Sequence, residues 1–156
     1  MNVSRAAALA EELHKGQVDK AGVPYIQHLA SVAGRLQLRL PDAPEYVVIA
    51  AWLHDALEDT SASPSSLLAA GVARESVSII TEVTRPPRVP YLDWIADLAR
   101  DGDPWAIRVK LSDNEDNSDP TRVASIPGGE FMVRTRYVPA RALLLSGLMA
   151  KGGSRK

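Results

Sequence analysis

His54 and Asp55 follow directly on the apolar run Val47 to Leu53, and Glu58 and Asp59 come one helical turn later. Read as one continuous helix, this spacing sets position 54 over 58 and position 55 over 59 on neighbouring strips of one face, so four polar ligating groups converge. No basic residue lies between Arg39 and Arg74, whereas Asp42, Glu45, Asp55, Glu58 and Asp59 all do. Carboxylates near the carboxyl end of a helix also face the negative end of its macrodipole, which costs about 0.3 to 1 kcal/mol each. A solvated helix end beside a satisfied core histidine would be the plain alternative. The seven apolar residues before His54 weigh against it, because they put His54 and Asp55 at the core boundary, where unpaired charge is expensive. A divalent metal ion would relieve that cost.

A second acidic cluster runs from Lys110 through Asp113 and Asn117 to Asp119, behind the apolar stripe Ile107, Val109 and Leu111. Asp113 is the acid nearest the buried face, and Asn117 shares that face one turn on. Glu115, Asp116 and Asp119 read as solvated surface. His28 sits within an apolar helical stripe, where a histidine on spacing alone reads as a satisfied core residue, and His14 reads the same way.

Helices must position these groups. Ser4 precedes Ala6 to Leu13 as a capping residue before strong helix formers, and Gly16 stops that segment. Pro24 begins a second helix through Ile26, Leu29, Val32, Ala33 and Leu36, which carries His28 and ends at Pro41 and Pro44. The segment from Glu45 to Leu53 is apolar on every side and belongs in the middle of the core. Further helices pass through Leu67, through Val77 to Val83, and from Asp103-Pro104 into the acidic cluster. Pro127-Gly128-Gly129 interrupts the chain before a last helix through Leu143 to Leu148. The Thr84 to Pro90 loop is stiffened by three prolines. With no alternating strand pattern, the expectation is an all-α fold in one domain over 1–150, followed by a frayed tail over 151–156.

Composition narrows the functions. The 156 residues are 46% hydrophobic, and 18 basic against 19 acidic side chains leave a net charge of -1. That balance offers no long-range field for nucleic acid or an anionic membrane. The absence of cysteine excludes disulfides, thiolate zinc sites and a cysteine nucleophile, so any metal must be held by His, Asp and Glu. The longest apolar run is too short to cross a bilayer, and Met1-Asn2-Val3-Ser4-Arg5 lacks a signal-peptide core, so a cytoplasmic location is expected.

Four separated strings, His14-Lys15-Gly16-Gln17, Lys20-Ala21-Gly22-Val23-Pro24-Tyr25-Ile26-Gln27-His28, His54-Asp55-Ala56-Leu57-Glu58-Asp59-Thr60, and Lys110-Leu111-Ser112-Asp113 with Asn117, resemble the HD-domain hydrolase of the RelA/SpoT-type alarmone enzymes, most of all its small stand-alone members. The resemblance runs over roughly residues 5 to 120. It implies an HD-domain helical bundle in which His28, His54, Asp55 and Asp113 bind one ion, usually Mn²⁺. It also implies Glu58 and Asp59 as catalytic acids acting on water, Asn117 as a nucleotide contact, and Lys20 and Tyr25 as substrate-pocket residues. Two imidazoles and two carboxylates suit manganese chemically, while zinc, iron or cobalt could occupy the same ligands.

The implied activity is removal of pyrophosphate from the 3′ position of an alarmone such as ppGpp or pppGpp, with a small-molecule nucleotide as the partner. Cations to meet such a substrate would come from Lys20, Arg85, Arg88, Arg108, Lys110, Arg122, Arg134 and Arg136. One departure stands out: Asp19 occupies the position where the large alarmone enzymes commonly carry an arginine able to stack on the base. Two further readings therefore stay open. The site acts on another nucleotide, such as (p)ppApp or the 2′-phosphate of NADPH, or the chain is a non-catalytic nucleotide-sensing module.

Overall fold

The computed structural model describes residues 1–153 and is all-α. Eleven helices follow one another: α1 (Val3–Leu13), α2 (Ile26–Arg39), α3 (Glu45–Trp52), α4 (Ala56–Asp59), α5 (Pro64–Ala69), α6 (Arg74–Val83), α7 (Tyr91–Asp101), α8 (Pro104–Asn117), α9 (Pro120–Val123), α10 (Gly129–Met132) and α11 (Val138–Gly153). A π-helical segment, Val133–Tyr137, joins α10 to α11 without a break. The only strand-like pairing among the described residues is an isolated bridge between Val18 and Pro24, which closes the loop ahead of α2. Residues 151–153 of the expected tail are the last turn of α11, and 154–156 lie outside the described residues.

Helix α3 occupies the centre, as its unbroken apolar character requires: Val47, Val48, Ile49, Ala50 and Ala51 are all buried. It packs against α1, α2 and α6, while α8 spans α2 and α6, and α11 lies along α7 and α8. Leu29 and Leu36 of α2, Ile80 of α6, Ile95 of α7, Ile107 of α8 and Leu144 of α11 meet in one continuous core. Each such side chain contributes about 1.5 to 3 kcal/mol by leaving water. Small residues let α11 approach α7 closely; a Cβ on Gly147 would collide with the Ala99 carbonyl oxygen.

Two local expectations are corrected. Asn2, not Ser4, caps α1, because its side chain accepts from the Arg5 backbone N–H at 3.0 Å. More consequentially, the apolar run and the acidic motif do not form one helix. Helix α3 ends at Trp52, the chain turns through Leu53, His54 and Asp55, and α4 begins at Ala56. His54 drives this break: its Nδ1 donates to the Ala51 carbonyl at 2.9 Å, taking one of the acceptors left free at a helix end. Position 54 therefore does not stack over 58. Asp55 and Asp59 remain one turn apart through the Asp59 N–H to Asp55 carbonyl bond at 2.9 Å. Because Asp55 caps α4 and Glu58 and Asp59 lie in its first turn, they avoid the unfavourable end of a long helix dipole.

Candidate metal centre and substrate cleft

The turn between α3 and α4 aims His54 and Asp55 at α2 and α8. His28 enters from the first turn of α2, and Asp113 enters from the middle of α8. His54 Nε2 lies 3.0 Å from Asp55 Oδ2 and 3.6 Å from Asp113 Oδ1. His28 Nε2 lies 3.2 Å from Asp113 Oδ1 and 3.6 Å from Asp55 Oδ2. His28, His54 and Asp55 form a compact group of potential metal ligands, which Asp113 joins through both rings. The two histidines and Asp113 are buried.

The donor set fits a divalent cation. His54 spends its Nδ1 proton on Ala51, so Nε2 is left as a lone pair facing carboxylate oxygens, and it has no hydrogen-bond partner although it is buried. A neutral imidazole lone pair and two carboxylates in contact repel one another unless something positive stands between them. Bonds of about 2.1 Å to one ion hold neighbouring ligands roughly 3.0 to 3.4 Å apart; the nitrogen–oxygen separations here run from 3.0 to 3.6 Å, so only the longer ones must close slightly. Without a metal, protons supply the missing charge. Burial opposes charging His54, but Asp55 and Asp113 outweigh it and push its pKa up to about 9. His28 is likewise raised well above its ordinary value, burial being overcome by Asp113, Asp116 and Asp55. Asp55 and Asp113 move the opposite way: burial would raise them, and the histidines, with Lys110 for Asp113, hold both well below the usual carboxylate range.

Further side chains hold these four in place. Tyr25 donates its hydroxyl to Asp55 Oδ2 at 2.6 Å, and burial followed by Asp55 raises its pKa so that it stays a neutral donor. Asn117 donates to Asp113 Oδ1 at 2.6 Å, and Lys110 meets Asp113 Oδ2 at 2.7 Å. His14 stacks behind Tyr25 and bonds to Gln17 at 2.7 Å. The residue missed by sequence reasoning is Asp116. Instead of lying on the surface it is buried, with Oδ2 2.6 Å from His28 Nδ1, and it is gripped by Ser31, Arg35 and Arg122. Burial raises its pKa, but His28 and Ser31 outweigh this and bring it down to about 2. Glu115 and Asp119 are also engaged rather than freely solvated, Glu115 with Arg39 and Arg141, and Asp119 with Arg35 at 2.6 Å. The signal was the three-residue step from Asp113 to Asp116, which keeps both acids on the side of α8 turned to α2.

A cleft of about 350 Å³ opens over the centre. Lys20, Tyr25, Asp55, Glu58, Asp59, Asp113 and Asn117 all line it, so seven of the nine expected site residues face one space, with His28 and His54 behind. Glu58 is restrained by Arg85, whose backbone N–H reaches Oε2 at 3.3 Å. The Asp59 side chain has no hydrogen-bond or ion-pair partner among the described residues. Of the expected cations, Arg85, Lys110, Arg122 and Arg136 reach the cleft with Lys20, whereas Arg88, Arg108 and Arg134 do not line it. Asp19 also borders the cleft, but its carboxylate is occupied by the Ala21 and Val23 backbone N–H groups at 2.9 and 3.0 Å and by Arg122 at 3.3 Å. Its role is to shape the loop that carries Lys20. No helix among the described residues is long and apolar enough to cross a membrane.

The chain is similar to several known proteins. A protein from Aquifex aeolicus (strain VF5) named guanosine-3′,5′-bis(diphosphate) 3′-pyrophosphohydrolase is 35% identical over 121 residues, which cover 74% of this chain and 17% of that protein. A Synechocystis sp. (strain ATCC 27184 / PCC 6803 / Kazusa) protein, named as a probable enzyme of the same kind, is 37% identical over 83 residues, covering 53% of this chain and 10% of the relative. This chain thus spans less than a fifth of the length of these relatives. In fold it resembles a solved structure described as a metazoan ortholog of SpoT that hydrolyzes ppGpp and plays a role in starvation responses. That likeness has a TM-score of 0.75 and 22% identity, and covers 96% of this chain and 95% of the other. The model of the HD domain matches residues 6–110, from α1 through His28 and the adjacent His54-Asp55 pair to the start of the acidic cluster on α8. By that match the chain belongs to the HD-domain family.

Proposed function

We propose that the chain is a divalent-metal-dependent phosphohydrolase that removes pyrophosphate from the ribose 3′ position of guanosine-3′,5′-bis(diphosphate), yielding GDP, or GTP from the 5′-triphosphate analogue. The observation that carries this reading is the buried, unpartnered Nε2 of His54 among Asp55, His28 and Asp113, directly beneath a cleft lined by Glu58 and Asp59. The names of the Aquifex and Synechocystis relatives support the substrate class. His28, His54, Asp55 and Asp113 hold the ion, for which Mn²⁺ is the proposed metal. A cytoplasmic location suits a nucleotide substrate.

The bound ion would polarise a phosphoryl oxygen and make water in the site more acidic. Asp59, with its side chain unpartnered, accepts the proton of the attacking water, and Glu58, tethered by Arg85, orients that water. The water oxygen bonds to the phosphorus on O3′, the P–O3′ bond breaks, and the departing O3′ takes a proton from solvent as pyrophosphate is freed, balanced by the proton that Asp59 then returns to solvent. Tyr25 keeps Asp55 turned toward the rings, and Asn117 holds Asp113 while presenting the rest of its amide to the nucleotide. Lys20, at the cleft wall, offers its charge to phosphate oxygens.

Incubating metal-reconstituted protein with ppGpp and Mn²⁺ is expected to give GDP and pyrophosphate in equal amounts. Intact ppGpp with a folded, metal-loaded sample rejects the substrate assignment. Asp19 favours a second reading, because its committed carboxylate gives a base nothing to stack on; (p)ppApp and the 2′-phosphate of NADPH are then the alternatives. Scoring phosphate and pyrophosphate separately distinguishes them, since NADPH releases phosphate alone. Tight nucleotide binding without turnover under any divalent metal would instead identify a sensing module.

A further inference from the structure

Five cations line the cleft, and three of them are already matched with acids. Lys110 is buried against Asp113 at 2.7 Å, Arg122 is shared by Asp19 and Asp116, and Arg85 lies 4.0 Å from Glu58. Lys20 and Arg136 have no acidic partner among the described residues. Lys20 Nζ makes a single weak contact, to Met132 Sδ at 3.5 Å. The Arg136 guanidinium lies 4.1 Å above the ring of Tyr91, and its Nε is buried with no hydrogen-bond acceptor.

These two cations are neighbours in the fold. Met132 precedes Arg136 by one turn of the continuous α10 and π-helical segment, so the contact of Lys20 with Met132 brings its ammonium to the stretch of chain that presents Arg136. The Tyr91 ring, itself packed against Trp94 and Tyr137, holds the guanidinium as a platform and limits its freedom before any ligand arrives. A guanidinium with a buried, unanswered N–H is costly unless an anion accepts from it, and its planar fork suits two phosphate oxygens.

We propose that Arg136, seconded by Lys20, is a substrate-positioning residue that binds the non-reacting phosphate chain of the nucleotide, the one remote from the metal. The site thereby selects nucleotides phosphorylated at two separate positions over those carrying a single phosphate group. This rests on the hydrolase reading for the identity of the substrate, but the anion site itself does not depend on turnover.

The test uses the full chain in wild-type form and as Arg136→Gln, Arg136→Lys and Arg134→Gln, the last a charge-matched control on the same segment and outside the cleft. Binding of GDP is measured by calorimetry with guanosine as the phosphate-free comparison, and KM and kcat are measured with ppGpp. Arg136→Gln is expected to weaken GDP binding and raise KM by roughly ten- to hundredfold with kcat nearly unchanged, as loss of a charge-assisted contact requires. Guanosine binding and the melting midpoint should not move. Arg136→Lys should recover part of the loss, and Arg134→Gln should match wild type. Equal GDP affinity in wild type and Arg136→Gln, or no GDP binding by wild type, overturns the proposal. Intact ppGpp together with a lost GDP site in Arg136→Gln would reject the hydrolase reading and leave the anion site standing.

Discussion

Asp116 Oδ2 lies 2.6 Å from Nδ1 of His28, on the side of the ring away from Asp55 and Asp113, and both side chains are buried. The carboxylate fixes which nitrogen of His28 carries its proton and leaves Nε2 free for the metal centre.

Replacing Asp116 with Asn should therefore weaken metal binding about 10- to 100-fold, the usual cost of losing an outer partner of a ligating histidine. Competition of Mn²⁺ against a chelator of known affinity measures this. Unchanged affinity would mean that Asp116 serves packing alone.

The metal-free protein should lose stability as pH rises from 6.5 to about 9. His54 has a folded pKa of about 9 against its ordinary 6.5, so the stabilisation from its proton is complete below 6.5 and fades as pH climbs through the folded value. Metal displaces that proton, so the loaded protein should not show this loss, and metal affinity should increase over the same range. Melting midpoints with and without Mn²⁺ from pH 6 to 9.5 check the sign; parallel curves would contradict it.

Asp116 gives the opposite trend in acid. Its folded pKa of about 2 lies below the ordinary 3.8, so its contribution is complete above 3.8 and is lost as pH falls toward 2. An Asp116→Asn protein should lose less stability than wild type across that window, as read by urea denaturation at each pH.

A methyl group at position 147 should be felt at the seam between α7 and α11. Gly147→Ala puts a Cβ against the Ala99 carbonyl oxygen, backbone that cannot swing away, and overpacking of this kind costs about 1 to 3 kcal/mol. Denaturant unfolding should show the loss, while metal stoichiometry stays at that of wild type.

Much of this molecule is legible in its sequence, for physical reasons that differ by element. Helix α3 is apolar on all sides and so had to be central, and Pro24, Pro41 and Pro44 bracket the helix that carries His28. The break between α3 and α4 is not legible, because Trp52 to Asp55 contains neither Gly nor Pro; it depends on a side-chain bond from His54 to Ala51. The burial of Asp116 escaped for a similar reason. Helix α8 is buried on nearly every face, polar positions included, so an apolar stripe marks too narrow a part of it. Acid content suggested solvent, whereas Arg35, Arg122 and His28, distant in sequence, supply the partners that let Asp116 stay inside.

Anomalous diffraction at the manganese edge, from crystals grown with Mn²⁺, tests the central claim most directly. One peak should appear within bonding distance of His28 Nε2, His54 Nε2, Asp55 and Asp113, and it should vanish in His54→Ala crystals that keep the fold. A peak coordinated by other side chains, or none at saturating Mn²⁺, would contradict the account.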